Sequence, residues 1–368
     1  LNCMKEKKSF THFFLIILII SLLITPVFQV DSLPIFSQII RKNTMHNDSP
    51  LNINSITPKD DAFHGSTSFP SCEWWYFDSM FNQNYSVHVG FRILTYRGLN
   101  FLKPSINIYQ DEEVIANETM ILPPGLFDVS SSQPRLLIKN EEVMFFDYDH
   151  YNKTGEWMYN VSYSLNGVGV DLTFSSLTKG WTYKTPHEGW TVAIPQGTVN
   201  GFIYVNNEKI AVEGRGYHDH NWNFSIQTTA RGWSWYWGKI TGETLNLAWA
   251  DIKETGLLEQ TFTEKLGVLN TQQNKFIIID PNNISFSVDS FVFKDNRFIP
   301  TEFQITIQQD KLMVDVTLSA NTIHRSDPSM MTMHYWRYFV TVNGVISYED
   351  TIEHIDHKTQ IMEYMRFI

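Results

Sequence analysis

Past residue 63 the chain alternates apolar and polar side chains over short runs broken by turn dipeptides, and this period of two restricts the fold more than any other feature. In "EFQITIQ" (302–308), Phe303, Ile305 and Ile307 alternate with polar residues. After a short turn Leu312, Val314, Val316 and Leu318 alternate again, which predicts a hairpin of half-buried strands. "GTVNGFIYVNNEKIAVEGRGY" (197–217) predicts a second hairpin turning at Asn206-Asn207, and "YFVTVNGVISY" (338–348) a third turning at Asn343-Gly344. No stretch beyond the N-terminal segment has the sustained periodicity of a long helix.

An all-β chain of many closely spaced strands folds as sandwiches or barrels, and 368 residues suffice for two of them. No short-period repeat is present, which disfavours a propeller. The 11 Trp, 16 Tyr and 26 Phe are unusually many; such residues fill barrel interiors or line a pocket for an apolar ligand. The net charge of −11, or −13 once residues 1–30 are set aside, argues against a nucleic-acid partner.

Lys5, Lys7 and Lys8 precede an apolar run from Phe13 to Ile24, with Pro26 following, so residues 1–30 read as a signal peptide. Phe13–Val30 is nearly long enough to span a bilayer, which keeps an N-terminal membrane anchor as the alternative. Either places the body of the protein outside the cytoplasm, secreted or held at the outer face of a membrane. Residues 31–62 are polar and turn-rich and read as a linker. Cys72 is the one cysteine beyond the signal region, so no internal disulfide is expected. Glycosylation sequons occur at Asn84, Asn117, Asn152, Asn160, Asn223 and Asn283.

The sequence contains no GxSxG, Walker A, HExxH or CxxC. The densest chemistry lies in "GYHDHNW" (216–222). On a strand His218 and His220 share one face and Asp219 points the other way. Three readings fit: a metal site completed by a distant ligand such as His64, His88, His187, His324 or His334; a hydrogen-bonded polar corner; or an active-site pair made of His220 and Trp222. "CEWWYFDS" (72–79) sets Glu73 before a strand with Trp74 and Tyr76 on one face and Trp75 and Phe77 on the other. In "RGWSWYWGK" (231–239), Trp233, Trp235 and Trp237 share a face and offer a wall for an apolar chain or a carbocation. "LNLAWADIK" (245–253) puts Trp249 and Asp251 on one face of an apolar strand, where desolvation would raise the carboxyl pKa toward that of a useful proton donor. A strand-end Asp251 reaching solvent beside Lys253 is the plainer alternative.

Taken in order, "EWWYFD", "IPQGTVNGFIYVNNEKIAVEGRGYHDHNW" and "GWSWYWGKI" resemble the AttH/CrtC-type lipocalin-like proteins. The resemblance runs from Phe63 to the C-terminus, strong in these blocks and weak after about residue 255. It implies an all-β fold of two lipocalin-like (calycin) β-barrel domains in tandem, residues 63–225 and 226–368, with a pocket near their junction. Members of that family include acyclic-carotenoid hydratases (hydroxyneurosporene synthases), a hydratase of a prenylated isoflavonoid, and cyclases. Its hydratases use no cofactor and no metal; they protonate a prenyl double bond and let water capture the cation.

The family's His-x-Trp and aromatic-x-Asp pairs fall here on His220 and Trp222, then Trp249 and Asp251. The resemblance makes Asp251 the general acid, Trp222, Trp235 and Trp249 stabilisers of the cation, and His220 the residue that positions the water or accepts its proton. Trp74, Tyr76, Trp233, Trp235 and Trp237 become the substrate wall, and Glu73 and Asp219 structural anchors. Trp249 stands where Tyr is common and Asn223 where Gly is common. The function implied is a cofactor-independent hydratase or cyclase, a hydro-lyase acting on the isoprenoid chain of a carotenoid-like or prenyl-lipid substrate. A non-catalytic lipid carrier built on the same aromatic pocket is the alternative.

Overall fold

The computed structural model describes residues 51–65, 70–185, 188–225, 232–255, 261–272, 274–326 and 333–367. These residues form two large antiparallel sheets. The first begins with β1 (Ile53–Ser55), β2 (Ser71–Phe81), β3 (Tyr85–Tyr96), β4 (Leu99–Gln110) and β5 (Glu113–Thr119). The short strands β6 (Phe127–Val129), β7 (Arg135–Ile138) and β8 (Glu141–Phe146) follow, then helix α1 (Tyr148–Thr154). Strands β9 (Met158–Leu165), β10 (Val168–Ser176), β11 (Trp181–Lys184), β12 (Gly189–Val205) and β13 (Glu208–Ser225) complete it. The second sheet holds β14 (Gly232–Thr241), β15 (Leu245–Thr255), β16 (Thr261–Thr271), β17 (Lys275–Ile278), β18 (Ile284–Lys294), β19 (Arg297–Gln309), β20 (Leu312–Arg325), β21 (Met333–Tyr348) and β22 (Thr351–Phe367).

Both sheets use one plan. Each is an up-and-down meander whose last strand returns to an early one: β13 pairs with β2, and β22 with β14. Each sheet encloses its own core, and every long strand feeds alternate residues into it. Trp75, Phe77 and Phe81 of β2 enter the first core; Tyr236 and Ile240 of β14 enter the second. The residues between them point the other way and build a third cluster between the sheets, with Tyr76, Trp190 and Tyr217 meeting Trp235, Trp237 and Met365. Burying each such large side chain contributes roughly 1.5–3 kcal/mol, so the layer between the sheets holds them as one unit. No helix among the described residues is long and apolar enough to cross a membrane.

The expected hairpins at Asp310-Lys311 and Asn206-Asn207 are present, and Asn206 and Asn207 both have positive φ (52° and 69°), as a two-residue turn with right-handed twist requires. Asn343-Gly344 is different. It is not a turn: β21 runs straight through it, and the hairpin closes at Glu349-Asp350. Gly344 has φ +143° and sits at a bulge, so close to the neighbouring strand that a Cβ would lie 2.1 Å from the Asp315 carbonyl oxygen. Gly201 in β12 approaches its neighbour as closely, with φ +140° and Asp171 O at 2.1 Å from a would-be Cβ, though no register shift occurs there. In both sheets a Val-Asn-Gly sequence lies inside a long strand rather than ending it.

The linker expected over residues 31–62 ends earlier. Ile53–Ser55 pairs with β11, and Pro58–Asp61 forms a 3-10 turn whose Asp61 is fully buried. Distant β13 and β9 supply the partners that let so polar a stretch enter the fold, and composition alone carries no trace of them.

Candidate acid site at the junction of the two sheets

Strands β2 and β13 lie side by side with His220 opposite Trp75, Asp219 opposite Tyr76 and His218 opposite Phe77. Alternation therefore separates "GYHDHNW" into two sites. His218 and His220 enter the first core, while Tyr217, Asp219 and Asn221 face the second sheet.

In the first core, Asp61 receives the Tyr159 hydroxyl, stands 3.0 Å from His218 Nε2 and lies 3.4 Å from His220 Nδ1. His220 Nε2 donates to Glu73 Oε1 at 2.9 Å. Glu73 also accepts the backbone N–H groups of His64 (2.8 Å) and Gly65 (2.9 Å). The His220 ring stacks on Trp75 at 4.5 Å, and Trp222 stacks on His64 at 4.0 Å. Burial works against a charge on His220, but Asp61 and Glu73 outweigh it and lift its pKa to about 9. Burial would likewise raise both carboxyls; the two flanking imidazoles hold Asp61, and His220 with His64 hold Glu73, below the usual range.

The ligand atoms of His64, Glu73 and His220 lie within 4.8 Å of one another, the spacing of a metal site. Among themselves these groups are already satisfied: the His220 ring bridges Glu73 and Asp61, and both Glu73 oxygens accept hydrogen bonds. The set is a carboxylate–imidazolium–carboxylate lock that ties the buried 3-10 turn to β2 and β13. His187 lies outside the described residues.

Between the sheets lies a cavity of about 330 Å³, within the range of small-molecule sites. One wall is aromatic, with Trp74 and Tyr76 of β2, Trp190 of β12, and Trp235 and Trp237 of β14. Four of the five residues expected to line a substrate pocket, Trp74, Tyr76, Trp235 and Trp237, are thus together; the side chain of Trp233 lies outside the described set. Asp219 also lines the cavity. It accepts hydrogen bonds from Trp190 Nε1 (2.9 Å), the Tyr217 hydroxyl (2.7 Å) and Asn221 Nδ2 (3.3 Å). Burial outweighs those donors, the carboxylates of Glu363 and Asp78 add to it, and the Asp219 pKa rises to about 7.

Below the indoles runs a buried ionic array. Lys239 pairs with Asp78, and Arg337 Nη1 meets Glu363 Oε1 at 2.9 Å. The Tyr76 hydroxyl lies 2.7 Å from Glu363 and 3.1 Å from Asp78, and Trp237 Nε1 donates to Glu363 Oε2 at 2.7 Å. These contacts fix the indole and phenol rings of the cavity wall and join the first sheet to the second. At the far side His88, kept uncharged by burial and by Arg337, Arg92 and Lys239, meets Asn107 through Nδ1 at 3.1 Å.

The other expected pair stands elsewhere. Trp249 and Asp251 do share a face of β15, but it is the face turned into the second core, away from Trp235 and Trp237. Among the described residues Asp251 Oδ1 has no hydrogen-bond partner, and burial, opposed by Lys253 and Lys265, raises its pKa. His220 therefore lies in the first core and Trp249 and Asp251 in the second, while Trp222 stands at the edge of the junction layer beside Trp190 and Trp235. Trp222 borders a void of only about 20 Å³. Cys72 is buried and its thiol is pushed up to about 11, which suits packing rather than nucleophilic chemistry. The sequence reading did not single out Trp190 or Arg92, and met His88 only as a possible metal ligand.

No protein-family sequence model matches the chain, and no curated protein matches it in sequence. Its fold does have counterparts. An AttH-type protein from Nitrosomonas europaea aligns over 87% of this chain and 100% of its own, with a TM-score of 0.59 at 13% identity. Kievitone hydratase from Nectria haematococca aligns over 86% and 95%, with a TM-score of 0.57 at 11% identity. CghA in complex with Sch210972 aligns over 87% and 99%, with a TM-score of 0.54 at 10% identity. The lipocalin-like fold that the sequence blocks implied is the fold these proteins share with this chain.

Proposed function

We propose that this protein is a cofactor-independent hydratase or cyclase that protonates a carbon–carbon double bond of a largely apolar, prenyl-bearing substrate, and that the reaction takes place in the junction cavity. One observation carries the reading: Asp219, a carboxyl group with a pKa of about 7, sits in a cavity of about 330 Å³ walled by indoles. A carboxylic acid that keeps its proton near neutrality can act as a general acid. Trp190 and Trp237 flank it, their rings 6.4 Å apart, and their π faces stabilise positive charge.

The steps balance. Asp219 gives its proton to the less substituted alkene carbon and becomes a carboxylate, while the other carbon becomes a tertiary cation. Water adds to that cation, and its proton returns to Asp219. In ring closure a second double bond replaces water as nucleophile, and the proton lost from carbon returns to the same carboxylate. Similarity in fold to a protein named as a hydratase supports this class of reaction.

A second reading keeps Asp251 as the acid, working inside the second barrel. It rests on the raised pKa and the partnerless Oδ1 of that residue. The two separate in a direct trial. Ligands extracted from natively purified protein are identified by mass spectrometry, and each is incubated with wild type, Asp219→Asn and Asp251→Asn. We expect a product heavier by one water, or an isomer, from wild type and Asp251→Asn only. Loss in Asp251→Asn alone moves the chemistry to the second barrel; a bound lipid that no form converts makes the protein a carrier. The apolar run Phe13–Val30, outside the described residues, supports placing the enzyme at the outer face of a membrane, where such substrates reside.

A further inference from the structure

Beside Trp74 and Tyr76 the same sheet continues the cavity lining with residues of β3, β4 and β5, and its chemistry is different. Arg92 and Lys103 are directly opposed across the β3–β4 ladder, and both line the cavity. Like charges placed opposite each other on one face destabilise a strand pair. Among the described residues no carboxylate forms an ion pair with Arg92; its guanidinium lies over the ring of Trp74, 5.6 Å from the centroid. Glu118, the acidic group on the same side of the cavity, is held by Asn166 at 3.0 Å. Ser105, Asn107 and Thr119 continue the polar surface. Burial, reinforced by Arg92, lowers the Lys103 pKa, as expected for an ammonium beside another cation.

We infer that Arg92 and Lys103 form the head-group subsite of this enzyme: they hold a carboxylate or phosphate carried by the substrate, while the apolar chain lies along Trp74, Trp235 and Trp237. The inference rests on the function proposed above and narrows its substrate to an anionic amphiphile. A guanidinium matches either anion with paired hydrogen bonds, and the indole beneath it keeps its plane fixed. The subsite also acts as a ruler. Asp219 is opposite Tyr76, which is opposite Gly90, and Arg92 is two residues further along β3. The acid and the guanidinium are therefore two strands apart, on the order of 10 Å, and the double bond protonated lies about that far from the anionic group.

The test uses three probes of equal chain length on the full chain, dodecanoate, dodecyl phosphate and dodecan-1-ol, with tryptophan fluorescence reporting binding. Wild type is expected to bind at least one of the two anions about tenfold or more tighter than the alcohol, and the tighter anion identifies the head group. Arg92→Gln and Lys103→Gln should each bring that anion to the affinity of the alcohol without weakening the alcohol. Asp219→Asn should keep the anion preference intact, because it removes the acid and not the subsite. Equal binding of all three probes by wild type, or a preference that survives both Gln variants, overturns the subsite and leaves the cavity standing. A wild-type protein that binds none of the three overturns the cavity reading and the subsite with it.

Discussion

A single strand, β13, gives adjacent residues opposite chemistry. His220 sits between two carboxylates and is charged; Asp219, one residue earlier, sits among indoles near other carboxylates and is neutral up to about pH 7. The sequence period correctly separates their faces. It cannot say which face meets a cavity, because from Tyr217 to Asn221 every residue is buried, and alternation distinguishes faces only by assuming one is wet. The same ambiguity hid the direction of Trp249 and Asp251 on β15, which is also covered on both sides. If Asp219 is the donor, Asp219→Asn should lower turnover by about 10²- to 10⁴-fold with an unchanged circular dichroism spectrum. The rate of the wild-type enzyme should fall as pH rises through about 7, where the proton to be donated is lost.

At the level of elements, the Val-Asn-Gly positions inside β12 and β21 and the buried 3-10 turn are the features local sequence could not settle. Asn343-Gly344 has the composition of a hairpin turn, and only the strand beside it, 2.1 Å from a would-be Cβ, shows that it is a bulge. Gly344→Ala should therefore destabilise the protein by about 1–3 kcal/mol, read from a shifted denaturant midpoint. The 3-10 turn makes stability depend on pH through His220. Its folded pKa of about 9 exceeds the ordinary 6.5, so its contribution is fully present below about pH 6.5 and disappears as pH rises through about 9. That contribution is on the order of 3 kcal/mol. His220→Gln should remove this alkaline loss while lowering stability at neutral pH, as chemical denaturation across the pH range will show. Asp61 and Glu73 act at the other end: their depressed pKa values give stability that is lost as acid titrates them.

On the scale of the whole molecule, two meanders of one design are joined by an aromatic layer with an ionic array inside it. The all-β class and the indole wall were legible because they depend on period and order along the chain. The array of Asp78, Lys239, Arg337 and Glu363 was not, since it unites residues from both ends of the sequence. Arg337→Met should destabilise the protein by about 3–5 kcal/mol, because it leaves Glu363 and Asp78 buried without their shared cation. The same array sets the electrostatics of the cavity, for Glu363 and Asp78 help keep Asp219 protonated.

The central claim, a proton resting on Asp219 near neutral pH, can be measured without knowing the substrate. Infrared difference spectra of wild type and Asp219→Asn across a pH titration isolate the carbonyl band of that one carboxylic acid. The account requires a protonated-carboxyl band that is present in wild type, absent in the variant, and titrates near pH 7. If Asp219 instead ionises in the ordinary aspartate range around pH 4, it is not the acid, and the reaction proposed for the junction cavity falls with it.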